Sequence, residues 1–378
     1  MTSNDLEFHI AQVESLITQC RSKFQTSQKE QIYSNRIQLF NSIASSKYEN
    51  FDIVKLKQSS FLLNFIAREI EFLDFKSKKE IPYKLIQCLN LILEDWIDDK
   101  HLFTIAFSSN SKNLTDYYTP VITETTLKSL NHVTESLGLN FVYEYGLIQI
   151  SQPRFFINDF LSSIPTYHEL GHFIDNNYGI SEHASSKLPK NLSKHPIVNS
   201  EKQRKDYLAE HFANIFAAQY LAELIIEKIN FTSFGGKNDQ EYSAHPSIEK
   251  RISIINTFLT NSGPDEDLEI INQLKESTKI KTGMKSFERE LINRKIELTQ
   301  NPFMLDKKVK LNASEELHSL FIEGWNSFYN SEKFKIRYPE PIKRLKRINK
   351  LIEQTIDSTM KAPNYFGLST ILPRHWLP

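Results

Sequence analysis

Apolar residues recur every three or four positions along most of this chain, the spacing of helices that bury one face and wet the other. The pattern predicts helices over Leu6–Ile17, Ile32–Ile43, Ile53–Phe75 and Ile81–Ile97, and residues 1–98 contain no glycine to interrupt them. From His101 the pattern changes to β-branched and aromatic runs. Leu102–Phe107 and Val121–Thr123 read as strands, Thr126–Leu137 as a helix, and Phe141–Tyr145 with Leu147–Ser151 as a hairpin about Gly146. Helical spacing then returns over Phe160–Ile174, where Gly179 supplies a stop, over Tyr207–Leu221 and over Ser247–Leu259. Ser262-Gly263-Pro264-Asp265 is the clearest boundary. Helices follow over Asp267–Glu276, Ser286–Leu298, Ser314–Tyr329 and Pro341–Met360, the third of them preceded by Asn312-Ala-Ser-Glu315, which reads as a cap with a reciprocal Glu. The terminal Tyr365–Pro378, with Trp376, reads as a docked tail.

These elements predict an α+β, predominantly helical protein in three regions: a helical region 1–98, a core 99–262 with a small β-sheet, and a helical region 263–378. Between the two central helices, Asn176–Asp206 is polar and holds Pro189 and Pro196. A connection of that length in a compact domain is commonly either a lid or a plain solvated loop.

Composition narrows the function classes. Of 378 residues 40% are hydrophobic, enough for real cores, and Lys+Arg and Asp+Glu both number 46, so no whole-chain field draws the protein to nucleic acid or to an anionic membrane. The basic run Lys343–Lys350 has apolar residues at helical spacing and reads as one solvated helix face. Cys20 and Cys88 make no disulfide framework, the first residues lack the pattern of a signal peptide, and no stretch has the length and apolarity of a membrane span. The expectation is a soluble cytoplasmic protein that acts on a protein or peptide substrate, with no nucleic-acid partner and no membrane span.

The chemistry lies in His168-Glu169-Leu170-Gly171-His172. On a helix, residues i and i+4 are neighbours, so the two imidazoles can share one tetrahedral metal while Glu169, about 100° round, reaches a water on it. A catalytic zinc takes three protein ligands and keeps one position open. Metzincins place Gly three residues and His six residues past the second His; here those positions hold Asp175 and Tyr178. An aspartate ligand at Asp175 would sit one turn further along the same helix and point past the metal. The third ligand is sought instead in Tyr207–Leu221, where Glu210, Ala213, Asn214, Ala217 and Ala218 share one side. Such a stripe of small residues lets two helices approach closely, and Gly171 is its match on the motif helix. His211 is the rival ligand but faces about 100° away from the stripe.

His168-Glu-x-x-His172 followed 38 residues later by Glu210-x-x-Ala-Asn resembles the gluzincin clan of metallopeptidases. Glu210-His-Phe-Ala-Asn-Ile-Phe-Ala-Ala is similar to the second-helix motif of ImmA/IrrE-type metallopeptidases. His245-Pro246-Ser-Ile-Glu-Lys-Arg251-Ile252 is similar to the His-Pro and Arg-Ile element of HtpX and CAAX-processing peptidases. The resemblance covers roughly residues 100–260 and implies a zincin-like core. It also implies a zinc-dependent endopeptidase cleaving an intracellular protein in a stress or phage response. Zinc would be held by His168, His172 and Glu210, with Glu169 as general base. His245, at a helix entry, is the candidate donor to the oxyanion, and Arg251 makes a structural ion pair or clamps the Glu210 helix. Asn214 stands where HtpX-like enzymes carry Asp; its carboxamide can still accept an imidazole N–H, without charge. Tyr178 and His183 are minor candidates for the cleft. The rival reading is a non-proteolytic interaction protein whose zinc site is structural or vestigial, closed by a fourth ligand such as His183 or His211.

Overall fold

A computed structural model of the chain describes residues 2–19, 27–73, 83–97, 101–108, 124–143, 146–153, 159–187, 200–232, 246–283 and 297–360. In chain order the elements are α1 (Ser3–Gln19), α2 (Ser27–Ala44), α3 (Ile53–Leu73), α4 (Tyr83–Trp96), β1 (His101–Ser108), α5 (Glu124–Ser136), β2 (Gly146–Pro153), α6 (Pro165–Tyr178), α7 (Ile180–Lys187) and α8 (Glu201–Leu221). They continue with α9 (Leu224–Thr232), α10 (Ile248–Thr260), α11 (Asp265–Thr282), α12 (Pro302–Leu305), α13 (Glu316–Tyr329), α14 (Glu332–Arg337) and α15 (Pro341–Met360). The chain divides into two compact units, one of Met1–Ile81, Lys100–Ala106 and Pro120–Gln149, the other of Pro82–Asp99, Phe107–Thr119 and Ile150–Pro378.

The fold is helical, and this overturns the expected α+β class with its zincin-like core. Among the described residues, β1 and β2 pair only with each other, so there is no sheet layer for the motif helix to rest on. That helix, α6, packs instead on α7, α8 and α11. The misreading has a physical source in Phe141–Tyr143, whose aromatic residues signal a strand. Here they are buried anchors without a ladder: the Tyr143 amide donates to Asn131 Oδ1 at 2.5 Å, and the Tyr143 hydroxyl donates to Glu69. β-propensity reflects how a side chain packs, and a helical neighbour packs an aromatic ring as well as a strand does.

In the first unit α1, α2 and α5 pack on α3, whose Leu62, Leu63, Ile66 and Ile70 form one buried stripe. Inside this core sits a buried ion pair, Arg36 Nε to Glu69 Oε2 at 2.6 Å, with the guanidinium carbon 3.8 Å from the Tyr143 ring centroid. A charge taken out of water is tolerated only with such partners.

The second unit is built round α8. Every residue from Glu210 to Leu221 is buried, because α6, α7, α9, α10, α11 and α13 all pack against this helix. A helix covered on all sides carries no amphipathic stripe, and its run of alanines suits that position. Ser200 caps its start by accepting from the Gln203 amide at 3.1 Å while the Gln203 side chain accepts from the Ser200 amide at 3.3 Å. Trp96 ties α4 to α8, its indole N–H donating to the Tyr220 hydroxyl at 2.8 Å and its ring 5.3 Å from that of Phe216. The break at Ser262–Pro264 separates α10 from α11, which pack on each other inside the same unit. Among the described residues, no helix is long and apolar enough to cross a membrane.

Candidate metal centre

The motif helix α6 starts with Pro165, where a missing N–H costs nothing, and stops at Gly179. Gly179 takes the left-handed conformation (φ 67°), and its amide donates to the Asp175 carbonyl at 2.7 Å. Between these ends the helix aligns His168 and His172, whose Nε2 atoms lie 3.0 Å apart. Glu210 reaches across from α8, with Oε1 3.2 Å from His172 Nε2 and Oε2 3.6 Å from His168 Nε2. His168, His172 and Glu210 thus form a group that can hold a metal ion, with one ligand atom from each all within 4.8 Å of one another. A tetrahedral ion with bonds of about 2.0–2.1 Å sets its ligand atoms about 3.3–3.4 Å apart, and each of the two imidazoles has a Glu210 oxygen within a few tenths of an ångström of that separation.

Gly171 explains how the two helices come this close. A Cβ built there would lie 2.8 Å from the Cα of Ala213, nearer than side-chain carbons pack. Glu210 is one helical turn before Ala213, so the contact of Gly171 with Ala213 delivers the carboxylate to the imidazoles.

Electrostatics act on the two imidazoles in opposite directions. Burial pushes the His168 pKa down to about 4, outweighing the hydrogen bond with Glu210, so its imidazole is neutral and holds a lone pair. Burial also lowers that of His172, but the Glu210 carboxylate overrides it, and the charges of Glu169 and Asp175 add to the rise. His168 Nδ1 is buried with no hydrogen-bond partner. The hydrogen bond expected from a ligand imidazole to Asn214 is therefore not made by His168: Asn214 Oδ1 accepts from Arg251 Nη2 at 3.0 Å instead. Arg251, on α10, thereby clamps α8 one turn beyond Glu210, within range of both carboxylates. Burial lowers its pKa, while the charges of Glu210 and Glu169 oppose that shift.

Other residues raised by the sequence lie elsewhere. Asp175 is buried and accepts from the Ser181 amide at 2.7 Å, which fixes the start of α7. The Tyr178 hydroxyl donates to the Trp96 carbonyl. His183 Nδ1 is 3.0 Å from Ser277 Oγ on α11. His211 is fully buried with its ring 4.5 Å from that of Tyr207, and neither of its nitrogens has a hydrogen-bond partner. None of the four joins the metal-binding group. His245 lies outside the described residues, as do 188–199. Before 188, the connection read as lid or loop is the helix α7, packed on α8 and α11.

A feature the sequence did not announce sits behind the motif. The Tyr167 hydroxyl is 2.9 Å from Nδ1 of His318 on α13, 151 residues away, and both residues are buried. No local pattern marks a hydrogen bond between residues so far apart in the chain.

No family model, curated protein or solved structure matches this chain. The functional reading therefore rests on the site itself.

Proposed function

We propose that this protein is a zinc-dependent metalloendopeptidase acting on a protein substrate in the cytoplasm. The observation that carries the reading is the three-donor group of His168, His172 and Glu210, with one ligand atom from each within 4.8 Å of the others, joined by no fourth His, Cys, Asp or Glu among the described residues. Two imidazoles and a carboxylate suit zinc, and a set of three leaves a position for water and substrate. The likeness of these residues to the gluzincin motif points the same way. Zinc held there would supply positive charge to polarise a peptide carbonyl and would make a water acidic enough to attack near neutral pH.

The chain's own residues would do the rest. Glu169, next to the first His and not among the donors, takes the proton from the attacking water and passes it to the leaving amine nitrogen. Arg251 holds α8, and so Glu210, in place through Asn214, its positive charge balancing the two carboxylates. His245 remains the candidate donor to the oxyanion. The competing reading, a structural site, needs a fourth ligand, and neither of its two candidates joins the group: His183 lies against Ser277 and His211 against Tyr207.

The test is Glu169→Gln, which keeps the size and hydrogen bonding of the side chain but cannot accept the proton. Purified protein should retain about one zinc per chain, while cleavage of substrates identified from newly formed protein termini falls by about a hundredfold or more. Cleavage undiminished in Glu169→Gln would overturn the peptidase reading, and absence of bound zinc in the parent would overturn the metal.

A further inference from the structure

A second cluster of charged and apolar side chains lies in a segment that the metal-centre argument does not use. α12, α14 and the first half of α15 converge on Asp306. Its carboxylate accepts from Arg347 Nε at 2.9 Å and from the Tyr338 hydroxyl at 2.8 Å, and pairs with Arg337 Nη1 at 2.9 Å. Arg347 Nη2 donates to the Asp306 carbonyl at 2.6 Å. These contacts join three short pieces of chain into one face.

Two properties of that face stand out together. Residues 304–310 and 332–350 contain eleven Lys and Arg against three Asp and Glu, in a chain whose totals are equal at 46 and 46. Four large aliphatic side chains stand among them in solvent: Met304 is 72% exposed, Leu305 50%, Ile336 79% and Ile342 57%. Single exposed apolar residues are ordinary, but four of them within basic segments tied together at Asp306 suit contact with something both negative and apolar.

We propose that this face docks peripherally on an anionic lipid surface. The division of labour among the cations favours lipid over nucleic acid. Arg337 and Arg347 are engaged with Asp306, and the Arg344 guanidinium lies 4.7 Å from the Phe328 ring centroid. Lysines exposed at the rim include Lys307, Lys308 and Lys346, while Lys343 pairs with Glu340 at 2.5 Å. Lysines beside anionic headgroups act as point charges, and aliphatic side chains enter the boundary of the acyl chains. Aliphatic groups have no matching partner on a nucleic-acid backbone, where stacking aromatic rings and arginine forks would be expected. The surface sits on the membrane without crossing it, in keeping with the lack of a spanning helix among the described residues.

Sedimentation of the full chain with phosphatidylcholine vesicles, with and without phosphatidylserine, tests this. Binding should need phosphatidylserine and weaken as salt rises. Lys308→Gln and Lys346→Gln should each weaken it by about fivefold. Ile336→Ser combined with Ile342→Ser should weaken it by about tenfold or more, through lost insertion rather than lost charge. All four positions are exposed, so the variants should melt with the parent. Failure to sediment with phosphatidylserine vesicles overturns the proposal, as does equal binding to neutral vesicles. Duplex DNA binding that falls with the lysine variants, with vesicle binding unchanged in the isoleucine pair, would make the face a nucleic-acid surface instead.

Discussion

Glu210 and His211 are adjacent on α8 and chemically both fit to bind a metal, yet only one faces the motif. Glu210→Ala should abolish stoichiometric zinc while His211→Ala leaves it intact, and elemental analysis of the purified variants checks both. His211 has a different consequence. Burial, with the positive charges of Lys250 and Arg251, pushes its pKa down to about 3 from 6.5, so the folded protein keeps it neutral where the unfolded chain protonates it. A depressed folded-state pKa gives stability that is complete above pH 6.5 and lost as pH falls towards 3. Across that window the loss should approach about 1 kcal/mol per pH unit. Denaturant unfolding at neutral and mildly acid pH should show His211→Phe losing less stability on acidification than the parent. Position on the helix was legible in the sequence for both residues; that His211 would be buried with neither ring nitrogen hydrogen-bonded was not, because its surroundings come from α10 and α11.

Two helix contacts carry the element scale. Gly171 lets α6 touch α8, and a methyl group there would collide with backbone, which cannot swing aside as a side-chain tip can. Gly171→Ala should lower stability by about 1–3 kcal/mol and weaken metal binding as the helices separate, read by melting and by zinc titration. The stripe of small residues that pointed to this contact was visible in the chain, because close approach needs small side chains on both helices. The start of α13 was read less well. Asn312-Ala-Ser-Glu315 was expected to form a reciprocal cap through Glu315, but Glu316 does the work, accepting from the amides of Asn312 at 3.1 Å, Ala313 at 3.0 Å and Thr299 at 2.7 Å. Burial works to raise its pKa, but these bonds, with the Thr299 hydroxyl, hold it below the ordinary value. Glu316→Gln, which exchanges a charged acceptor for a neutral one, should cost about 1–2 kcal/mol at neutral pH. That difference should shrink in acid as the parent's own carboxylate protonates, which unfolding curves at two pH values would show. The sequence supplied the acid one residue early because Thr299, which shares the carboxylate, is distant in the chain.

At the scale of the whole molecule, the metal-binding group lies entirely in the second compact unit. A ligand that binds only the folded state stabilises it, by about 2.7 kcal/mol at a hundredfold excess over its Kd. Chelation should therefore lower the melting temperature of the second unit and leave the first unit's transition where it was, a pattern that calorimetry with and without zinc resolves. Within the second unit, α4 reaches α8 through Trp96, and α13 reaches the motif helix through His318. α11 follows the clearest break in the chain and still packs on α6, α7 and α8.

What the sequence determined by itself is what depends on neighbours a few residues away. The helical periods, the stop at Gly179, the pairing of His168 with His172 and the small stripe from Glu210 to Ala218 all follow from the geometry of a single helix. Tertiary structure decided the rest. It brought Glu210 to within 3.6 Å of both imidazoles, turned Asn214 towards Arg251, and set Tyr167 against His318. It also placed Phe141 and Tyr143 in a helical core where their composition suggested a strand. Each of these outcomes depends on which elements meet, and that is settled by burial summed over the whole unit, a quantity no local run of residues contains.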